Sequence, residues 1–251
     1  MYIKCMYIKY QKDAYLCVGL QTKRGLPGRP KIMKKLLFPL LLAATVLSVP
    51  ATAAPAADAL AKRTAAKGAV ETYKVQPQLS TLGWVGKKVG GQHNGSIALQ
   101  SGSVLVRGNQ ISGGTFVVDM TSIKNEDLKD ADYNAKLLGH MKTDDFFGVD
   151  KYPTATFVIT SIKPLKDAQG NNAQIAGNLT IKGKTSPISF PAKVGVKNGV
   201  ASASGVATVD RTKYDVKYGS TLFGAAADKA IDDTFTLSFN VIAKASGVAT
   251  R

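Results

Sequence analysis

The sequence predicts an all-β fold of antiparallel strands in the part of the chain that follows residue 70. Three observations predict it. Short runs alternate apolar and polar residues with a period of two, Gly, Asn, Asp and Pro separate them, and one stretch alone shows helical spacing. The elements follow in chain order.

Residues 1–32 carry seven Lys/Arg against one acidic residue and show neither strand alternation nor a helical apolar face. They read as an untranslated upstream segment, with Met33 as the true start. Lys34 and Lys35 then precede an apolar run from Leu36 to Val49 and the small-x-small tripeptide Ala51-Thr52-Ala53, the three parts of a secretory signal over 33–53. Pro39 interrupts that run, which is also short of the roughly 20 residues needed to cross a bilayer. The expectation is cleavage near Ala53 and a periplasmic or secreted product. Cys5 and Cys17, the only cysteines, lie upstream of the cut, so the exported part must hold by packing without a disulfide. Residues 54–69 are rich in Ala and read as a flexible linker.

Strand segments are expected at 70–76, 80–89, 95–107, 111–121, 154–163, 175–182, 188–197, 199–209, 211–219 and 234–243. About ten such segments suit a closed barrel or a sandwich. The alternation is cleanest where Ile175, Gly177, Leu179 and Ile181 oppose Ala176, Asn178, Thr180 and Lys182, and where Phe235, Leu237, Phe239 and Val241 oppose Thr236, Ser238 and Asn240. Asn198-Gly199 is the pair that favours a type I′ hairpin. Between 125 and 140, Leu128, Ala131, Ala135 and Leu138 recur at helical spacing, which predicts a single short helix across one end of the sheet. A compact turn over 142–153 should follow it.

The chemistry-bearing residues are few. His93 and His140 are the only histidines, and without a cysteine or an H-x₃-H or H-E-x-x-H spacing they are a weak metal or acid–base signal; no metal and no cofactor is expected. Asp144 and Asp145 are sequence neighbours that point apart, so helix capping fits them better than a shared proton. The stretch 177–185 resembles a phosphate loop but has five residues between its glycines and leads from strand to strand. From Ala54 onward the chain holds 24 Lys/Arg against 16 Asp/Glu. That excess is moderate and contains no block of five like charges, so it reads as a solvated surface of scattered lysines ahead of attraction to anionic lipid or nucleic acid, and it leaves transient contact with a membrane surface open. Residues 211–218 segregate Thr212, Tyr214, Val216 and Tyr218 from Arg211, Lys213, Asp215 and Lys217, which reads as a strand with an apolar face and argues against nucleic-acid binding.

What remains is apolar. Trp84, Phe116, Phe157, Phe190, Tyr214 and Phe239 fall in strand segments, mostly on the dry face. Periodicity does not distinguish a barrel filled by such side chains from one that holds a ligand.

The words of the sequence add to its rhythm. Gly-Lys-Lys-Val-Gly-Gly-Gln-His-Asn-Gly (86–95), Lys-Thr-Asp-Asp-Phe-Phe-Gly-Val-Asp-Lys-Tyr-Pro-Thr-Ala-Thr-Phe (142–157), Gly-Asn-Leu-Thr-Ile-Lys-Gly-Lys-Thr (177–185) and Val-Asp-Arg-Thr-Lys-Tyr (209–214) resemble the YceI-like family, in that family's order. The resemblance covers about Val70 to Lys244. It implies an antiparallel, lipocalin-like barrel of about eight strands, spanning 70–245, whose interior binds a polyisoprenoid or similar long amphiphile, with no established catalysis. The family's motif residues look largely structural, so the candidates for an apolar ligand lining are the inward aromatics Trp84, Phe116, Phe157, Phe190, Tyr214 and Phe239, and those for contact with a polar head group are Arg211 or the lysines around the 142–153 turn. Two other readings stay open: a filled, structural barrel, and an enzyme that uses His93 and His140.

Overall fold

The structure is a computed structural model that describes residues 68–246. The upstream segment, the signal and nearly all of the linker lie outside the described residues.

Among the described residues, nine strands and one α-helix of more than one turn follow in order: β1 (Val70–Val75), β2 (Thr81–Lys88), β3 (Gly91–Arg107), β4 (Gln110–Asn125), α1 (Ala131–Lys142), β5 (Thr154–Pro164), β6 (Ala173–Ile181), β7 (Lys184–Lys197), β8 (Val200–Asp210) and β9 (Ile231–Ala245). All pairings are antiparallel, in the order β1-β3-β2-β9-β8-β7-β6-β5-β4, and β4 also pairs with β3. That last pairing closes the sheet and removes its edges.

The nine strands make an eight-strand barrel because β1 and β2 share one position. Both lie between β3 and β9: Trp84 of β2 opposes Gly95 and Leu237, whereas Tyr73 of β1 opposes Val104 and Ala245. Pro77 starts the short 3₁₀ turn between them and interrupts the ladder. Register confirms the hairpin chemistry elsewhere. Lys197 opposes Val200, leaving Asn198 and Gly199 as a two-residue loop with φ of 51° and 73°, as a type I′ turn requires.

Two expected elements differ. Residues 211–219 are not a strand: Arg211–Tyr214 form a 3₁₀ turn in which the Asp210 carboxylate accepts from the Thr212 N–H at 3.0 Å. Asp215 then takes a left-handed conformation with φ of 62°. The apparent alternation there was two loop residues, Tyr214 and Val216, that bury for tertiary reasons. The helix starts at Ala131, six residues into the 125–140 stretch, because the Asp130 side chain caps it by accepting from Asp132 and Tyr133 N–H groups. Asp144 and Asp145 follow the helix and do not cap its N-terminus; Asp144 pairs instead with Lys151.

Inside the barrel, four phenylalanines from β4, β5, β7 and β9 form a continuous layer. Ring centroids are 6.3 Å apart for Phe116–Phe157, 5.5 Å for Phe157–Phe190 and 5.4 Å for Phe190–Phe239. On one side of it Tyr73, Val75, Val104, Val106, Ala201 and Ala243 fill the interior, nearly all of them inaccessible to solvent. On the other side lies the end that α1 covers.

Candidate functional site: an apolar cavity under the helix

The covered end holds a cavity of about 300 Å³. Its wall comes from strand positions that face inward, among them Leu82, Trp84, Ile97, Met120, Ile123 and Phe235. Leu137 and Met141 of α1, with Phe146 and Phe147 of the turn that follows, complete it. That turn is held by its own backbone: the Phe147 N–H donates to Met141 O at 3.1 Å and the Val149 N–H to Lys142 O at 2.9 Å. Deeper in, Val118, Ala155, Leu179 and Leu237 line the lower wall. Phe116, Phe157 and Phe239 each lie two residues further from the mouth on β4, β5 and β9, so the phenylalanine layer is the floor.

The six aromatics singled out by the sequence therefore separate. Trp84 lines the cavity, and its indole N–H donates to Lys124 O at 3.0 Å, which fixes the ring. Phe116, Phe157, Phe190 and Phe239 form the floor layer and do not contribute to the wall. Tyr214 is fully buried in the cluster around the cavity but is not part of its wall. Burial pushes its phenol up to about 12, and the Ser186 hydroxyl opposes that rise without reaching hydrogen-bonding geometry.

Arg211 borders the cavity, but as a clamp. Its side chain is 3% exposed. Its Nε donates to Asp232 O (2.9 Å), Nη1 to Val216 O (2.7 Å) and Tyr218 O (2.8 Å), and Nη2 to Ile231 O (3.0 Å) and Asp233 Oδ1 (3.4 Å). A guanidinium has five N–H groups, so this set uses all of them. The expectation that Arg211 meets a ligand head group is corrected accordingly: no donor is left over. Burial draws its pKa below the ordinary range, while Asp233, Asp210 and Asp232 push it back.

The two histidines both border the cavity and do different work. His93 Nδ1 is 2.8 Å from the Asp127 carboxylate. Burial raises the Asp127 pKa, but the Asn94 N–H, the His93 ring and the Asn125 amide outweigh it and hold the carboxyl at about 2. Asn125 O and Leu128 O in turn accept from the Asn134 amide, so this network ties the ends of β3 and β4 to α1. His140 sits in the last turn of α1, edge-on to Tyr218 at 4.4 Å and to Phe146 at 5.8 Å. Its Nε2 is buried and has no hydrogen-bond partner. Sequence reasoning weighed His140 as a metal or acid–base group and did not find this unpartnered nitrogen. It also missed the apolar residues of α1 and the following turn, although Leu137 and Met141 at i and i+4 form the helical stripe that would have pointed to them.

The model of the YceI-like domain matches residues 73–243. The chain belongs to the YceI-like family. Among curated relatives, a UPF0312 protein of Pseudomonas aeruginosa is 46% identical over 55 residues, and the YceI protein of Salmonella arizonae is 40% identical over a stretch of the same length. Each match covers 22% of this chain and 27% of the relative, so the chain spans about a quarter of the length of the curated relatives it matches. Among solved structures, a polyisoprenoid binding domain from Saccharophagus degradans, implicated in plant cell wall breakdown, superposes with a TM-score of 0.51 at 17% identity, over 69% of this chain and 98% of that one. That likeness bears on the YceI-like fold.

Proposed function

We propose that this YceI-like protein is an exported, non-catalytic carrier that holds the apolar tail of an isoprenoid or similar amphiphile in the cavity under α1. The observation that carries the reading is the cavity itself: about 300 Å³ of space, lined mainly by aliphatic and aromatic side chains from seven elements. An apolar tail entering it gains about 25 cal/mol for each Å² of apolar surface withdrawn from water. A cavity of roughly 150 Å³ accepts benzene, so about 300 Å³ accommodates on the order of ten to fifteen carbons above an intact floor. The remainder of a polyisoprenoid would project from the mouth or displace the phenylalanine layer.

The polar head of such a ligand is placed toward the mouth, and the nearest unused protein group is the buried Nε2 of His140, a residue that borders the cavity. An orphaned buried polar atom costs about 1–3 kcal/mol, and a ligand hydroxyl or carbonyl would recover part of that. The filled-barrel reading applies to the half of the interior beyond the floor. The secretory-signal pattern of the sequence over 33–53 supports export, and the solved relative named for polyisoprenoid binding supports the ligand class.

Trp84, the only tryptophan in the chain, is a built-in reporter on the cavity wall. Titration with farnesol should change its emission saturably at one ligand per chain. Unchanged emission, with no farnesol retained after gel filtration, would count against the carrier reading.

A further inference from the structure

Beside the cavity mouth, two loops expose large apolar side chains and lysines together. The turn between β2 and β3 carries Val89, and the connection from β8 to β9 carries Tyr218, Leu222 and Phe223. Leu222 is 75% exposed, Val89 55% and Phe223 51%. The loops are joined, since the Val89 N–H donates to Ala230 O at 2.9 Å. The 3₁₀ turn Thr221–Phe223 presents Leu222 and Phe223 side by side. Exposed lysines flank them along the chain: Lys87 and Lys88 before the first turn, Lys213, Lys217 and Lys229 on the second loop. Lys217 Nζ lies 5.0 Å over the Phe223 ring and also pairs with Asp215 at 2.7 Å, and Asp228 is the other carboxylate on the loop, so the tip keeps an excess of positive charge.

We infer that this tip docks on an anionic lipid bilayer, with Leu222, Phe223 and Val89 entering the headgroup boundary and the lysines meeting the lipid phosphates. Paired bulky apolar residues ringed by lysines are the composition that interfacial anchors use, and neither the apolar nor the basic part alone binds a bilayer firmly. A protein surface would instead favour apolar residues without a lysine ring. The placement also has a consequence for the mouth. Lys87, Lys88 and Ile231 belong both to the tip and to the cavity rim, so docking turns the opening toward the bilayer. The inference stands on the surface alone and does not require that the cavity take a lipid tail.

The experiment is co-sedimentation of the protein from Ala54 onward with vesicles of phosphatidylcholine alone and of phosphatidylcholine with phosphatidylglycerol at 3:1, at low and high salt. Binding to the anionic vesicles should be at least tenfold tighter than to the neutral ones and should weaken with salt. L222S/F223S should lose at least tenfold, K87E/K88E should lose the anionic preference, and L105S/V206S, with exposed apolar residues elsewhere on the barrel, should bind as the parent does. Parental protein that ignores both vesicle types, or L222S/F223S that binds normally, overturns the inference. So does a concentration-dependent dimer that L222S/F223S abolishes, since the tip would then belong to a second copy of the chain. Farnesol titration of the same variants keeps a failure of the tip separate from a failure of the cavity.

Discussion

The ring of Phe157 lies so close over Gly177 that a Cβ on residue 177 would sit 2.5 Å from it and 2.4 Å from Val158 O. Strand β6 thus leaves a gap that β5 fills with an aromatic side chain, and the same device recurs where a Cβ on Gly205 would be 2.9 Å from Phe239 Cζ. Rings seated in backbone gaps hold the floor in place. Gly177→Ala should therefore destabilise the protein by about 2–4 kcal/mol, because one of the obstructing atoms is backbone and cannot rotate away. Chemical denaturation of the variant against the parent checks this; a loss under about 0.5 kcal/mol would mean that the floor is soft.

The floor also sets how much tail the cavity accepts. Across prenols of increasing length, affinity should climb steeply up to about three isoprene units and then flatten. Phe157→Ala should cost about 3–5 kcal/mol of stability and move the plateau to longer tails. Trp84 fluorescence titration reads both. Continued steep gain through eight units in the parent would show that the layer opens.

Arg211 should behave as a structural clamp. Arg211→Ala strips five hydrogen bonds from carbonyls and a carboxylate around the 211–233 connection, so a loss of about 3 kcal/mol or more is expected. Arg211→Lys should rescue little of it, since one ammonium cannot replace the fork. Thermal unfolding is the measurement. A stable Arg211→Ala protein that loses affinity only for charged head groups would restore the role the sequence first assigned to it.

For His140 the expectation runs the other way. His140→Phe keeps the edge-on packing and removes the orphaned nitrogen, so stability should stay within about 1 kcal/mol. Affinity for a prenol should fall by roughly tenfold while affinity for the matching hydrocarbon holds, in line with one lost hydrogen bond. Equal losses for both ligands would place the head group elsewhere.

The Asp127 network predicts an acid response. Its carboxyl is held at about 2 in the folded state, below the ordinary value of 3.8. A lowered folded pKa gives stabilisation that is complete above the unfolded value and lost as pH falls through the folded one, here between about 4 and 2. The contribution is on the order of 1 kcal/mol after allowance for solvent screening. The difference in stability between the parent and Asp127→Asn should therefore shrink over that window, as followed by denaturant titration at several pH values.

Much of the barrel was legible because strand alternation and two-residue turns are local. The 188–197 and 199–209 runs and the Asn198-Gly199 turn can be read without knowing what they pack against. What failed was the 211–219 stretch, where Tyr214 and Val216 mimic a strand while Asp210 and Arg211 impose a capped turn and a buried clamp; that clamp depends on carbonyls about 20 residues away. The site was half legible for the same reason. Inward aromatics announce themselves by parity, but the depth of each in the barrel depends on register between strands. Trp84 therefore falls on the wall and Phe116, Phe157, Phe190 and Phe239 in the floor.

The most direct test of the carrier reading is native mass spectrometry, with organic extraction, of the protein purified from the export compartment of its own host. The account predicts an amphiphile with an isoprenoid or comparable tail, near one per chain, released by solvent and lost from a variant whose cavity is filled by Ala155→Trp. An apo mass that stays unchanged after incubation with prenols of every length would contradict it.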